Sequence, residues 1–452
     1  ILAVIMLAFE MTGRPLPAVL AGLLYASAPT SQQLANFFTV DPWLTTAFAW
    51  CGLLLWRLVN ASSFRQAIIL ALLTGGAIGV ALACKLTALL LALPVIATLL
   101  HHRRTLSHSS ILLLGLAVIS GMAISYRLLN PFAFNGPDIL GIMPSGDFLG
   151  ELLSAHNTLV SEDFPPNWQW TTGYGPLHFF RDFILFGSGP VVIGLLLLGL
   201  RPQLLGIRSM LLLSLSLPIL IYAVFSQASA LRYATPSLPA LSVLCGLVVV
   251  HSHFPNWLAV ATSVIGIWWG SGVYALHSSV HPRIAASRWI WTLPAKTVIA
   301  NETDWDEALP VAVVLPGESE RRWSNHSGHF NFVNLQLTRP DTSAKAANLA
   351  AKLNQSNYLI VSSGRQKLVM PRLSERFPVT TTYYRMLDSG TLCFELVWED
   401  IRGYRPAFLA VHDLWAQEPW RVYDHPMVQI YRKQSCFDKK AILETLLTSL
   451  SP

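Results

Sequence analysis

The chain has 452 residues, of which 53% are hydrophobic and only 12% charged, and a formal net charge of +6. That balance excludes an ordinary soluble domain and points to an integral membrane protein. The excess positive charge is thinly spread, with no Lys/Arg-rich run, so nucleic-acid binding is excluded as well.

Charge divides the chain in two. Residues 1–276 hold 8 of the 25 acids and 11 of the 31 bases, and 277–452 hold the rest. A polytopic α-helical membrane domain over 1–276 is therefore expected, followed by a small water-soluble domain over 277–452.

The chain begins with nine apolar residues, too few to cross a bilayer, and with no basic region of a signal peptide before them. They read as a stub, and the expectation is that further residues precede Ile1. Apolar runs of spanning or near-spanning length follow at about 15–30, 42–58, 66–84, 86–100, 110–127, 180–200, 209–226, 233–250 and 256–276. That makes nine expected spans plus the stub. Gly75, Gly76 and Gly79, and Gly266 with Gly270, have the small-residue spacing that lets helices approach closely.

One stretch stands apart, FFTVDPWL at 37–44, because Asp41 is the only carboxylate between Glu10 and Asp138. An acid at the edge of a bilayer is costly and suggests a functional site. Asp followed by Pro also suits the start of a helix, with Asp41 as its cap. The two readings are compatible.

Orientation follows from the short loops. Arg14, Arg57, Arg65, Arg103, Arg104, Arg201 and Arg208 fall on one side if the spans alternate, and the positive-inside rule makes that side cytoplasmic. Asp41, the long loop 128–179, the short loop 226–233 and the C-terminal domain then lie outside. Four bases also fall on that outer side: Lys85, Arg127, Arg181 and Arg232. Singly, each reads as a side chain snorkelling to the headgroups. Several beside an external acid would instead seat an anionic lipid headgroup.

The loop 128–179 is too long for a simple connector. It carries DFPPNWQW at 163–170, in which Trp168, Gln169 and Trp170 combine rings with an amide, a composition that suits either a sugar or an interfacial aromatic belt. His156, Glu162 and Asp163 lack metal-ligand spacing, so no metal or other cofactor is assigned, and any divalent-metal requirement stays open.

Beyond 283 the period changes to that of strands, at 297–299, 311–315, 358–361, 392–397 and 427–431. Ala346, Leu349, Ala350 and Leu353 mark an amphipathic helix starting near Asp341. A small α/β domain results. Cys51, Cys84 and Cys245 fall in spans as packing residues, while Cys393 and Cys436 share the α/β domain, where pairing is possible but not decided by spacing.

Several of these stretches together resemble one group. PRIAASRWI at 282–290, ETDWDEALP at 302–310, YYRMLDSG at 383–390, EPWRVYDHPMVQIY at 418–431, DFPPNWQW at 163–170 and the pattern of Asp41 with KLT at 85–87 are similar to bacterial glycosyltransferases related to family 39. These are membrane enzymes of the GT-C class, like the dolichyl-phosphate-mannose protein mannosyltransferases, and the resemblance runs over nearly the whole chain. It implies a GT-C type membrane domain and an extracytoplasmic α/β domain in the bacterial inner membrane.

The resemblance further implies transfer of a sugar from a polyprenyl-phosphate carrier to a protein, lipid or glycan acceptor. Asp41, matching the group's second external acid, would be a catalytic-site acid at the acceptor or donor in a supporting role; the group's usual catalytic acid would lie in a segment preceding Ile1, or the chain as it stands would be inactive. Lys85 and Arg232 would hold the donor phosphate. Tyr233, Trp168, Gln169 and Trp170 would border the sugar or acceptor cleft. A non-catalytic scaffold or carrier for surface-glycan assembly is the alternative.

Overall fold

A computed structural model describes residues 1–103, 105–136, 141–171, 173–199, 206–252, 255–306, 308–311 and 329–450. The chain forms two compact units. The first comprises Ile1–Val160, Gly175–Val273 and Pro406–Phe408; the second comprises Ser161–Tyr174, Tyr274–Arg405 and Leu409–Pro452. The long loop is thus divided, its 161–174 segment belonging to the α/β unit.

The first unit is helical. Its helices are α1 (Leu2–Thr12), α2 (Pro15–Ser27), α3 (Pro29–Ala35), α4 (Asp41–Val59), α5 (Phe64–Cys84), α6 (Ala92–His102), α7 (His108–Leu129) and α8 (Gly146–Val160). After α9 (Trp168–Thr171), which lies in the second unit, come α10 (Pro176–Asp182), α11 (Pro190–Gly199), α12 (Ile207–Phe225), α13 (Leu238–His251) and α14 (Asn256–His277). Helix starts follow local chemistry. Ser63 and Ser107 accept the backbone N–H of Gln66 and Ser110 at 3.2 and 3.3 Å, satisfying donors that a helix start leaves open.

Among the described residues, five segments are long and apolar enough to cross a membrane: α5, α7, α12, Leu231–His251, and the segment Asn256–Ile290 that begins with α14. A sixth would be the bent pair Pro176–Gly187 and Pro190–Gly199. The span expected at 180–200 is broken there by 108°. A π-helical turn over Phe183–Gly187 runs into Ser188 and into Gly189 at φ +81°, a conformation that glycine adopts freely. The expected span at 86–100 begins as a 3₁₀ turn, Leu86–Leu91, before α6. α4 is 19 residues long but less apolar, with three tryptophans, Asp41 and Arg57. The stub is a packed helix, with Ala3, Val4, Leu7, Ala8 and Met11 of α1 all buried.

The glycine spacings work as packing. A Cβ on Gly75 would lie 2.0 Å from the Val118 carbonyl oxygen, and one on Gly121 2.1 Å from that of Leu72, so α5 and α7 touch backbone to backbone. Gly79 meets the Met122 carbonyl in the same way, at 2.5 Å. Because 75 faces 118 and 79 faces 122, these helices run parallel, and Lys85 and the end of α7 lie on one side of the unit. On the opposite side, Arg57 pairs with Glu10 at 2.7 Å, joining the ends of α4 and α1.

The second unit is a five-stranded sheet with helices on both faces. β1 (Val298–Asn301), β2 (Asn331–Asn334), β3 (Tyr358–Val361), β4 (Phe394–Asp400) and β5 (Val428–Lys433) are ordered β2-β1-β3-β5-β4. β1 is parallel to β2 and β3, and β5 is antiparallel to β3 and β4. Its helices are α15 (Pro282–Ile290), α16 (Ser343–Gln355), α17 (Pro378–Asp388), α18 (Glu418–Arg421) and α19 (Lys439–Thr448). Alternation along β3 separates two cores: Leu359 and Val361 join Leu349, Leu353 and Tyr383, while Ile360 joins Ala286, Ile290 and Ile430.

Four expected strands coincide with β1, β3, β4 and β5 within a few residues. The one expected at 311–315 lies, from 312 onward, outside the described residues. β2 was not expected, because a four-residue edge strand that begins and ends in asparagine, Asn331 and Asn334, has little apolar alternation. Cys393 and Cys436 are joined in a disulfide, with Cα atoms 5.8 Å apart.

Candidate active site

Three chain breaks bring the site together. α4 opens at Asp41 itself: the cap residue is Val40, and no side-chain cap bond is made. The expected cap role of Asp41 is therefore not what its carboxylate does. Instead it lies in the first turn, where the helix dipole favours an anion, and it is 3% exposed. Its backbone carbonyl accepts the Thr45 hydroxyl at 2.8 Å.

Lys85 occupies the extended residue that ends α5, at φ −164° and ψ 137°. Its own N–H closes the last turn on the Ala81 carbonyl at 2.9 Å, and the 3₁₀ turn starts directly after it. The side chain leaves the helix axis at this break. Its ammonium donates to Asp41 Oδ1 at 3.4 Å and lies 3.8 Å from the centroid of the Tyr233 ring. A cation held against both a carboxylate and a ring face is attracted by each.

Tyr233 and Arg232 come from the 3₁₀ turn Leu231–Ser237 that precedes α13. The Arg232 guanidinium is 5.5 Å from the Tyr233 ring centroid, and Tyr222 of α12 stands 6.4 Å away from that ring. Tyr233 is thus flanked by two cations. Of the four bases expected on this side, Lys85 and Arg232 meet here. Arg127 donates instead to the carbonyls of Gly141 and Gly136 at 2.7 and 3.3 Å, and Arg181 pairs with Asp182 at 2.9 Å.

Two further residues escaped the sequence reading. Cys84 is the last residue of α5, half-buried and directly before Lys85; a cysteine in an apolar run carries no signal of that. Asp182 is fully buried beside Arg181, directly before the π-helical turn. An adjacent Arg-Asp pair just ahead of a Gly-Ser-Gly break was the available clue.

Trp168, Gln169 and Trp170 belong to the α/β unit. Trp168 is 2% exposed and belongs to the core of the α/β unit, its ring 4.8 Å from Phe377 and 5.8 Å from Trp305. Its indole N–H donates to the Glu162 carbonyl at 2.6 Å. Gln169 donates to Glu418 at 2.7 Å inside the same unit, and Trp170 packs edge-on against Tyr174 at 5.1 Å. The faces of Trp168 are spent on the protein interior because burying a large ring stabilises more than leaving it at a wet surface.

Gln169 enters a buried polar cluster. Glu418 also accepts Arg365 Nε at 2.6 Å, Arg283 pairs with Asp306 at 3.0 Å, and Ser363 donates to Asp306. Nearby, Tyr383 donates to Glu302 at 3.3 Å, and burial pushes the Glu302 carboxyl up to about 8. Among the described residues, no three or more His, Cys, Asp or Glu are grouped to hold a metal ion.

No family model and no curated protein matches the chain. Among solved structures, it is similar to the Archaeoglobus fulgidus oligosaccharyltransferase, crystallised in complex with Zn and sulfate, at 14% identity and a TM-score of 0.45. The match covers 92% of this chain and 60% of that one, so this chain spans about 60% of that protein's length.

Proposed function

We propose that the chain is a GT-C type glycosyltransferase that moves a sugar from a polyprenyl-phosphate carrier to a protein, lipid or glycan acceptor. The observation that carries this reading is the meeting of Asp41, Lys85, Arg232 and Tyr233 from three separate segments on one side of a membrane-type helical unit. The sequence resemblance to family 39-related enzymes supports the same reading.

In this mechanism Lys85 and Arg232 hold the donor phosphate, where two cations at low dielectric bind an anion far better than in water. Asp41 accepts the proton of the acceptor hydroxyl as it attacks the anomeric carbon. The bond to the phosphate oxygen breaks, the lipid phosphate leaves with the electron pair, and single displacement inverts the anomeric centre. Tyr233 orients Lys85 through its ring. The Cys393–Cys436 disulfide supports an extracytoplasmic α/β domain, since such bonds persist in oxidising compartments. The membrane would be the bacterial inner membrane.

The test is sugar transfer from a radiolabelled polyprenyl-phosphate donor by the full-length protein in membranes. Asp41→Asn should lower turnover by about 10²–10⁴-fold with unchanged expression. Unchanged turnover would sink the catalytic reading and favour a scaffold or carrier.

A further inference from the structure

Among the described residues, α8 is the one long helix of the first unit with no buried residue. Viewed down its axis, Phe148, Leu149, Leu152, Leu153, Leu159 and Val160 fall within an arc of about 140° at the α-helical 3.6 residues per turn. His156 shares that arc. Asp147, Glu151, Ser154, Asn157 and Thr158 take the rest of the circumference. Such a face needs a partner, and the protein supplies little: Leu149 is 48% exposed and Leu153 65%.

Continuity identifies the partner. Only Leu114, Val118 and Gly121 of α7 are buried; Val118 and Gly121 meet α5 and Gly115 approaches Leu99 of α6, while Leu112, Leu113, Leu116, Ile119 and Ile124 are exposed on a helix apolar enough to cross a membrane. Exposed apolar residues recur beyond the end of α7 as well. Leu128 and Leu129 in the last turn of α7, then Phe132, Ile142 and Met143, are all more than half exposed.

The segment is also fixed in place at both ends. At its start, Asn135 N–H donates to the Met143 carbonyl at 2.8 Å and Ser145 N–H to that of Ala133 at 2.9 Å. At its end, the Gln227 side chain donates to the Val160 carbonyl at 3.1 Å. Gln227 belongs to the loop that leads to Arg232 and Tyr233. An amphipathic helix tied at both ends, and exposed along its apolar arc except for the half-buried Phe148 and Leu152, has the form of a helix lying in a membrane surface.

We propose that α8 is an interfacial anchor, its apolar arc seated among lipid headgroups and upper acyl chains on the side of the membrane that carries Asp41 and Lys85. Its polar arc is acidic rather than basic, through Asp147 and Glu151. Attachment therefore rests on apolar burial and on the chain ties, and not on anionic lipid. This assignment is independent of glycosyl transfer.

The test is nitroxide accessibility in the full-length protein, with Cys84→Ser to silence the half-buried thiol, reconstituted in phosphatidylcholine bilayers. Labels at Leu149→Cys and, separately, at Leu153→Cys should be relaxed by oxygen roughly threefold or more over a water-soluble nickel chelate, as for a face dissolved in acyl chains. A label at Ser154→Cys should show the reverse preference. Adding phosphatidylglycerol should leave the pattern unchanged. Equal nickel accessibility at 149 and 154 would show α8 standing in water, and protection of both positions from both reagents would show a protein partner; either result overturns the proposal.

Discussion

The Lys85 ammonium lies 3.4 Å from the Asp41 carboxylate although 44 residues separate them in the chain. Asp41 is nearly sealed from solvent while Lys85 keeps about a quarter of its side chain accessible, at 5% and 26%. Removing the cation would leave a buried, uncompensated carboxylate, which costs about 3–5 kcal/mol. Removing both charges would not. Lys85→Met should therefore destabilise the full-length protein more than the Asp41→Asn/Lys85→Met double variant does. Thermal unfolding in detergent reads the cycle, and strictly additive effects would mean that the pair is not coupled.

Glu302 makes the stability of the α/β unit depend on pH. Burial raises its carboxyl from the ordinary 4.5 to about 8. Between those values the folded state holds a proton that the unfolded state releases, so stability is full below about 4.5 and declines as pH rises through about 8. Glu302→Gln removes the titration while keeping the shape. Its melting temperature should exceed that of the parent at pH 8, and the slope between pH 5 and 8 should flatten. Parallel profiles for the two proteins would place the titration elsewhere.

The α5–α7 contact distinguishes adjacent glycines. Gly75→Ala drives a methyl into the Val118 carbonyl, whereas Gly76→Ala meets nothing within 4 Å. Gly75→Ala should cost about 1–3 kcal/mol and Gly76→Ala close to nothing. Unfolding in detergent compares the two. Equal effects would mean that helix propensity, and not backbone contact, governs both.

The Cys393–Cys436 bond closes a loop across 43 positions. Loop closure of that size restricts the unfolded chain by roughly 4 kcal/mol in the chain-entropy account. Replacing both cysteines by serine should lower the unfolding temperature of the α/β unit, while reductant should affect only the parent. A melting curve insensitive to reductant and to the double replacement would contradict this.

Much of this protein was legible in its residues one neighbourhood at a time. The uneven charge predicts a change from helical to α/β character near residue 276. The run of Tyr358 to Val361 reads directly as β3, and Leu349 with Leu353 as the buried face of α16. Gly75 and Gly79 announce a close helix contact. Each of these follows from interactions within a turn or a strand, or from the cost of placing apolar groups in water, and both are written locally.

What the tertiary structure decided depends on partners far away in the chain. Asp41 resembles a helix cap until α5 ends at Lys85 and delivers an ammonium to it. Trp168 resembles a surface ring until Phe377 and Trp305 close around it, and the 180–200 span looks continuous until it turns at Gly189. Whether a carboxylate caps or pairs, and whether a ring is exposed or interior, is set by which desolvated partner comes within a few ångströms. Only the folded arrangement of distant segments provides that.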